Sequence, residues 1–304
     1  MLTQFLHYRS YLILYFFSST SIFCNNQYIT DWGTLLIDNQ SLSIKNEEVI
    51  QVVDNHILYI NSIFNSPNKE SFKIIISDNP QLSYQSNIWN WSLGITRGNT
   101  VIMKDISISH ISQNRFMQVL RHELNHIYLN RLNKEYNIPR WFEEGFSMYY
   151  ANEFFLSNKL IIANNINNID MFMIDNLDAK FNSNSKKQFD FAYAYSQMLL
   201  NFFIVNYSEL ILIQIIEDIK LGDTLEDAFY NNTLVTIDNY NTEVFNNIKS
   251  KFWWLRLMKF PSLLLILAPL LLIIAFIIVK IKNYNIIQRW KVEEQSEKLQ
   301  DNEI

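Results

Sequence analysis

The segment Val119-Leu-Arg-His-Glu-Leu-Asn-His-Ile-Tyr128 sets His122 and His126 four residues apart, with the carboxylate of Glu123 beside the first. On an α-helix, positions i and i+4 share a face, so both imidazoles can point at one cation. Zinc takes neutral imidazole nitrogen at about 2.0–2.1 Å, a reach that two rings one turn apart can meet. Glu123 then stands where a general base would take a proton from water activated at the metal. The chain holds only five histidines, which makes this spacing an uncommon arrangement of them. The plain alternative is a surface helix with two solvated histidines. Against it, Phe116, Leu120, Leu124 and Ile127 form an apolar side, and the two positions inside the motif, Leu124 and Asn125, are uncharged.

A catalytic zinc needs a third protein ligand and one open position. The next segment, Ile138-Pro-Arg-Trp-Phe-Glu-Glu-Gly-Phe-Ser-Met-Tyr-Tyr150, offers Glu144, eighteen positions after His126. That length lets one helix end and a second return with a carboxylate. Pro139 suits the first turn of that second helix. Gly145 leaves room for helices to approach closely beside the ligand. Glu143 is the competing carboxylate, pointing about 100° away on the same helix. A metzincin arrangement is excluded, since Leu129 replaces its glycine and no histidine follows His126.

VLRHELNHIYL followed by IPRWFEEGFSMYYA resembles the gluzincin branch of HExxH metallopeptidases, and within it the peptidase MA-like family, with its HExxH and P-x-W-x-x-EG segments. The likeness runs over about residues 70 to 230. FKIIISDN and LGITRGNTVIM resemble the sheet whose edge strand lines the family's substrate cleft, and FAYAYSQMLLNFFIVNYSE and GDTLEDAF resemble its later helices. Gly94, Gly98, Gly145 and Gly222, four of only five glycines, fall at family positions. The resemblance implies zinc ligation by His122, His126 and Glu144, one zinc per chain, with Glu123 as the catalytic carboxylate. It implies an α+β, zincin-like metallopeptidase domain with a small N-terminal sheet and a helical C-terminal lobe. In the thermolysin type an Asp four residues after the third ligand orients a zinc-bound His; here that position is Met148, so the orienting partner has no candidate in the sequence. No motif for gripping a free amine appears, which favours an endopeptidase cleft. Tyr193 or Tyr195, on a later helix, could donate to the oxyanion; the plain reading of both is aromatic core. His56 and His110 sit at no ligand spacing and read as ordinary residues.

The elements that must position these groups follow from hydrophobic periodicity. Val49, Ile50, Val53, Ile57, Ile60 and Phe64 repeat with a helical period, and Phe72 to Ile76 reads as a short buried strand. Leu93 to Met103 reads as a strand pair around Gly98-Asn99. Helices are expected over about 112–132, 139–155, 188–206, 208–220, 224–230 and 241–258. The order is that of an α+β domain.

Composition and the chain ends complete the picture. A net charge of −5 argues against a nucleic-acid partner. One cysteine, Cys24, excludes an intrachain disulfide and a cysteine-built zinc site. Residues 262 to 279, SLLLILAPLLLIIAFIIV, run eighteen positions without a charge and read as a membrane-spanning helix kinked at Pro269. Lys251, Arg256 and Lys259 precede it, Lys280, Lys282, Arg289 and Lys291 follow, and Trp253, Trp254 and Trp290 suit interfacial belts. Near the start, Arg9 precedes the apolar run Tyr11 to Phe17, as in a secretory signal or an uncleaved anchor. The expected organisation is a signal or anchor over 1–26, a catalytic domain over 27–255, a transmembrane helix over 260–280 and a polar, solvated cytoplasmic tail over 281–304. The function expected is a membrane-tethered zinc metallopeptidase, its catalytic domain outside the cytoplasm, acting on peptide or protein substrates. The rivals are a non-catalytic, membrane-anchored binding module on a peptidase fold, and a zinc hydrolase of non-peptide amides.

Overall fold

The computed structural model describes residues 26–37, 45–64, 71–77, 92–132, 138–252 and 261–301. The signal or anchor expected at the N-terminus lies, except for Asn26, outside the described residues. The chain divides into two units, Met1–Lys249 and Ser250–Ile304.

The first unit begins with the strands β1 (Asn26–Thr30) and β2 (Gly33–Ile37) and the helix α1 (Asn46–Phe64). The strands β3 (Phe72–Ser77), β4 (Gly94–Arg97) and β5 (Thr100–Lys104) follow. The five strands form one sheet in the order β1-β2-β3-β5-β4. β2, β3 and β5 are parallel neighbours, while β1 and β4 pair antiparallel at the two edges. The hairpin β1–β2 adds two strands to those expected. It turns tightly at Asp31-Trp32, and the Trp32 ring stacks on Phe72 at 4.8 Å.

Helices α2 (Ile106–Ser109), α3 (Gln113–Leu132) and α4 (Arg140–Tyr150) come next. Ser112 caps α3, its hydroxyl accepting from the Arg115 amide at 3.3 Å. Pro139 stands one residue before α4, with extended backbone, rather than within its first turn. One apolar core joins the sheet to α1 and α3. Leu35, Ile74 and Val101 from the strands meet Val49 and Val53 of α1 and Phe116, Leu120 and Leu124 of α3. Alternate strand positions and one face of each helix supply these residues, so the core fixes the depth and rotation of α3 against the sheet.

The helix expected over 139–155 is instead two. α4 stops at Tyr150, and α5 (Leu156–Asn165) starts a new axis. Asn152 adopts a left-handed φ of 58°, a conformation that Asn tolerates better than most residues. The Glu153 amide donates back to the Met148 carbonyl at 2.9 Å and the Asn152 amide to Tyr149 at 3.0 Å, the two bonds of a Schellman stop.

Two short 3₁₀ turns lead to α6 (Leu177–Phe181), α7 (Lys186–Tyr207), α8 (Glu209–Leu221), α9 (Leu225–Thr233) and α10 (Ile237–Phe252). Their core is aromatic: Phe172, Phe191, Phe203, Phe229 and Tyr240 are buried together with Leu199, Ile215 and Ile216. α4 packs along α7, where a Cβ on Gly145 would stand 2.7 Å from the Ser196 carbonyl oxygen. The absence of that carbon is what lets the two backbones meet. The result is an α+β fold, a small N-terminal sheet followed by a helical lobe.

In the second unit, α11 (Pro261–Asp301) is a single helix of 41 residues containing Pro269. Its stretch Leu267–Glu293 contains an eighteen-residue window of mean hydropathy 2.0, none of it buried, which makes the helix long and apolar enough to cross a membrane. Beyond Val279, over the segment expected as a polar tail, the backbone continues as helix to Asp301.

Candidate active site

α3 carries His122, Glu123 and His126, and α4 returns antiparallel in sequence order to bring Glu144 against them. The two His Nε2 atoms are 3.1 Å apart. Glu144 Oε2 lies 3.2 Å from His122 Nε2 and 3.4 Å from His126 Nε2. Three ligand atoms held tetrahedrally about a centre at roughly 2.0–2.1 Å stand about 3.3–3.4 Å apart from one another. The triangle in the protein has these dimensions. Two imidazole nitrogens that face each other at this distance also need something positive between them, a proton or a cation. The donor set of two imidazoles and one carboxylate, with His126 opening onto a cleft, therefore fits a catalytic zinc. Glu143 lines the rim of the same cleft but does not join the converging group.

The charges follow from burial and neighbours. Burial alone would lower the His122 pKa. The carboxylates of Glu153, Glu144 and Glu123 outweigh it and lift the group from 6.5 to about 9. Burial opposes ionisation of Glu144, yet the imidazoles of His126 and His122 hold its carboxyl well below the usual range. Glu123 moves the other way. Its burial dominates over the attraction of His122 and His126 and over the Thr96 hydrogen bond, so its carboxyl is more basic than an exposed one.

Glu123 is placed by the edge strand. The Thr96 hydroxyl lies 2.7 Å from Glu123 Oε2 and 2.9 Å from the Glu123 carbonyl oxygen. A Cβ on Gly94 would be 2.8 Å from Glu123 Cγ and 3.0 Å from Oε1, so the glycine makes the space this side chain occupies. On the far side, the Tyr193 hydroxyl donates to Glu144 Oε1 at 3.0 Å, and Arg140 Nε approaches the same oxygen at 3.4 Å. Burial and the Glu144 charge raise the Tyr193 pKa well above 10, keeping it a donor.

The two tyrosines left open by the sequence separate here. Tyr193 faces the cleft, whereas Tyr195 is buried in the helical core and donates to Asn241 Oδ1 at 2.6 Å. His110 is exposed and takes no part. His56 is more than an ordinary residue. It is buried, and its Nε2 lies 2.7 Å from Asn125 Oδ1. Asn125 Nδ2 donates to the Ser147 carbonyl at 3.0 Å, which fixes the amide so that His56 is the donor to Asn125.

Sequence reasoning missed Glu153. It follows the stop of α4 and is buried, with Oε1 paired to Arg115 at 2.9 Å and Oε2 3.7 Å from His122 Nδ1. It occupies the role expected of an orienting carboxylate, nine residues after Glu144 instead of four. The one signal in the sequence is Asn152, whose readiness to end a helix turns the next residue back. Thr96 was missed too, because its alternation with Gly94 on one face becomes informative only when the strand lies against Glu123.

A search of curated proteins finds no match. The sequence model of the Peptidase MA superfamily matches residues 62–250. That range contains β3 to β5, the His122–Glu123–His126 helix, Glu144, Glu153 and Tyr193. Together with the α+β fold, this match places the chain in the Peptidase MA superfamily.

Proposed function

We propose that the protein is a membrane-anchored zinc metallopeptidase of endopeptidase type, acting on peptide or protein substrates outside the cytoplasm. The observation that carries this reading is the convergence of His122 Nε2, His126 Nε2 and Glu144 Oε2 within 3.4 Å of one another beside the Glu123 carboxylate. His122, His126 and Glu144 would hold the ion; bound there, zinc would polarise the scissile carbonyl and make water acidic enough to be deprotonated near neutral pH.

The chain's own groups supply the rest. Glu123, made more basic by burial, accepts the proton of the attacking water and passes it to the departing amine. Tyr193, held protonated, gives its one proton to Glu144 Oε1 here and would turn it to the oxyanion when charge develops there. The Arg140 guanidinium over the Phe181 ring, 4.8 Å to the centroid, braces the same wall. Glu153 and Arg115 fix the rotation of the His122 ring from behind.

Anchoring is supported by α11. Its uncharged run over 262–279 is eighteen residues, about 27 Å of helix, close to a hydrocarbon layer of about 30 Å. Its exposed Leu270 to Val279 side chains have no protein cover among the described residues. The signal-like N-terminus supports an extracytoplasmic catalytic domain.

The test uses the full chain in detergent, with metal analysis and cleavage of casein by the wild type and by Glu123→Gln. One zinc per chain in both, with cleavage lost only in the variant, supports the proposal. Absence of zinc after chelator-free purification would overturn it.

A further inference from the structure

β4 is an edge strand, and its register decides what it offers. The Lys104 amide donates to the Leu93 carbonyl at 2.8 Å, and the pairing then runs Gly94 to Met103, Ile95 to Ile102, Thr96 to Val101 and Arg97 to Thr100. In an antiparallel ladder, hydrogen-bonded and non-hydrogen-bonded pairs alternate. Ile95 and Arg97 therefore spend their backbone groups on β5, and Gly94 and Thr96 turn theirs outward. Side chains alternate as well, so Gly94 and Thr96 also share a face, the face that meets Glu123. Thr96 thus stands at two junctions. Its amide and carbonyl face the edge of the sheet, where no strand among the described residues covers them, while its hydroxyl reaches the carboxylate of Glu123.

The hydroxyl has one proton and two acceptors in reach. The Glu123 carbonyl lies within the α3 ladder, and the carboxylate oxygen is both nearer, at 2.7 Å, and charged. The proton goes to the carboxylate. Oε2 is then committed to Thr96. Oε1, which lies against the gap left by the missing Gly94 side chain, is the oxygen turned to the strand edge.

Resting on the peptidase reading above, we infer that Thr96 is a positioning residue for the general base: its hydroxyl locks the rotamer of Glu123 so that Oε1 is the oxygen that takes the proton. The strand along which a substrate backbone would lie and the base that serves its scissile bond are in this way set by one residue. A carboxylate displaced by about 1 Å loses about 10- to 100-fold in rate, and substrate held by backbone contacts at the edge does not notice.

The test uses the full chain in detergent with one internally quenched peptide, chosen from a random pool by wild-type cleavage. Thr96→Val keeps the shape and removes the hydroxyl; Thr96→Ser keeps the hydroxyl. The expected result for Thr96→Val is one zinc per chain, KM within twofold and kcat lowered at least tenfold, with Thr96→Ser within threefold of wild type. A thermal-unfolding cycle of Thr96→Val with Glu123→Ala gives a readout free of turnover: the Tm drop from Thr96→Val should largely vanish once Glu123 is gone. Unchanged kcat in Thr96→Val, a Thr96→Ser as slow as Thr96→Val, or additive Tm changes would overturn the inference. If the wild type cleaves nothing, the peptidase reading falls and this role with it; if Glu123→Gln abolishes cleavage and Thr96→Val does not matter, only the role of Thr96 falls.

Discussion

Glu153 Oε2 stands 3.7 Å from His122 Nδ1, while Glu144 Oε2 stands 3.2 Å from Nε2 of the same ring. The imidazole is therefore bracketed by carboxylates at both nitrogens. A proton on Nδ1 facing Glu153 leaves the Nε2 lone pair for a metal. At 3.7 Å Glu153 acts on Nδ1 through its charge rather than through a hydrogen bond, and Nδ1 has no hydrogen-bond partner among the described residues.

Glu153→Gln should weaken zinc about 10- to 100-fold without unfolding the domain. Competition titration against a chelator of known affinity measures this directly. An unchanged affinity would remove Glu153 from the site.

Zinc binding should release a proton. With its pKa near 9 in the metal-free protein, His122 is protonated at neutral pH, and a ligand must be neutral. Apparent affinity should therefore rise with pH up to about 9. Calorimetric enthalpies measured in buffers of different ionisation enthalpy should differ in proportion to the proton released. A buffer-independent enthalpy at pH 7 would contradict this.

His56 should make the fold acid-sensitive. Burial, only partly offset by the Asn125 hydrogen bond, lowers its pKa from 6.5 to about 4. The unfolded chain binds the proton more readily, so this stability is complete above pH 6.5 and is lost as pH falls toward 4. The shift corresponds to about 3 kcal/mol. His56→Gln, which can still donate to Asn125, should flatten the dependence of urea midpoints on pH across that window.

Gly94→Ala and Gly145→Ala should fail differently. The new carbon at Gly145 meets the backbone oxygen of Ser196 at 2.7 Å, and helices α4 and α7 must part, costing about 1–3 kcal/mol. At Gly94 the new carbon meets the Glu123 and Met103 side chains, which can swing away. Gly94→Ala should keep most of its Tm and lose most of its turnover, the reverse of Gly145→Ala.

Removing residues 253–304 should move the protein from the membrane pellet to the soluble fraction after alkaline extraction. A truncated chain still found in the pellet would point to a second attachment.

The helices and the convergence of His122 and His126 were legible because each rests on a local period. A metal motif within one helix is a matter of i and i+4, and Phe116, Leu120 and Leu124 mark the buried side of the same helix. Glu144 was legible by its distance along the chain, but Glu143 was separated from it only by the rotation of α4. Glu153 and Thr96 were not legible, since both act across elements: one through a helix stop at Asn152, the other through the lateral placement of β4 over α3. The break at Tyr150 was hidden because Phe154 and Phe155 resume the apolar pattern just after Asn152 and Glu153. Tyr193 and Tyr195 have nearly the same local surroundings in sequence, and only the packing of α7 sends one to the cleft and the other to Asn241.

The Asn125 amide is spent at both ends, toward His56 of α1 and toward the Ser147 carbonyl of α4. Sheet lobe and helical lobe are thus sewn together at Asn125, the residue beside His126. The helix that carries His122 and His126 is therefore the page both covers are glued to, gripped by α1 on one side and by α4 on the other.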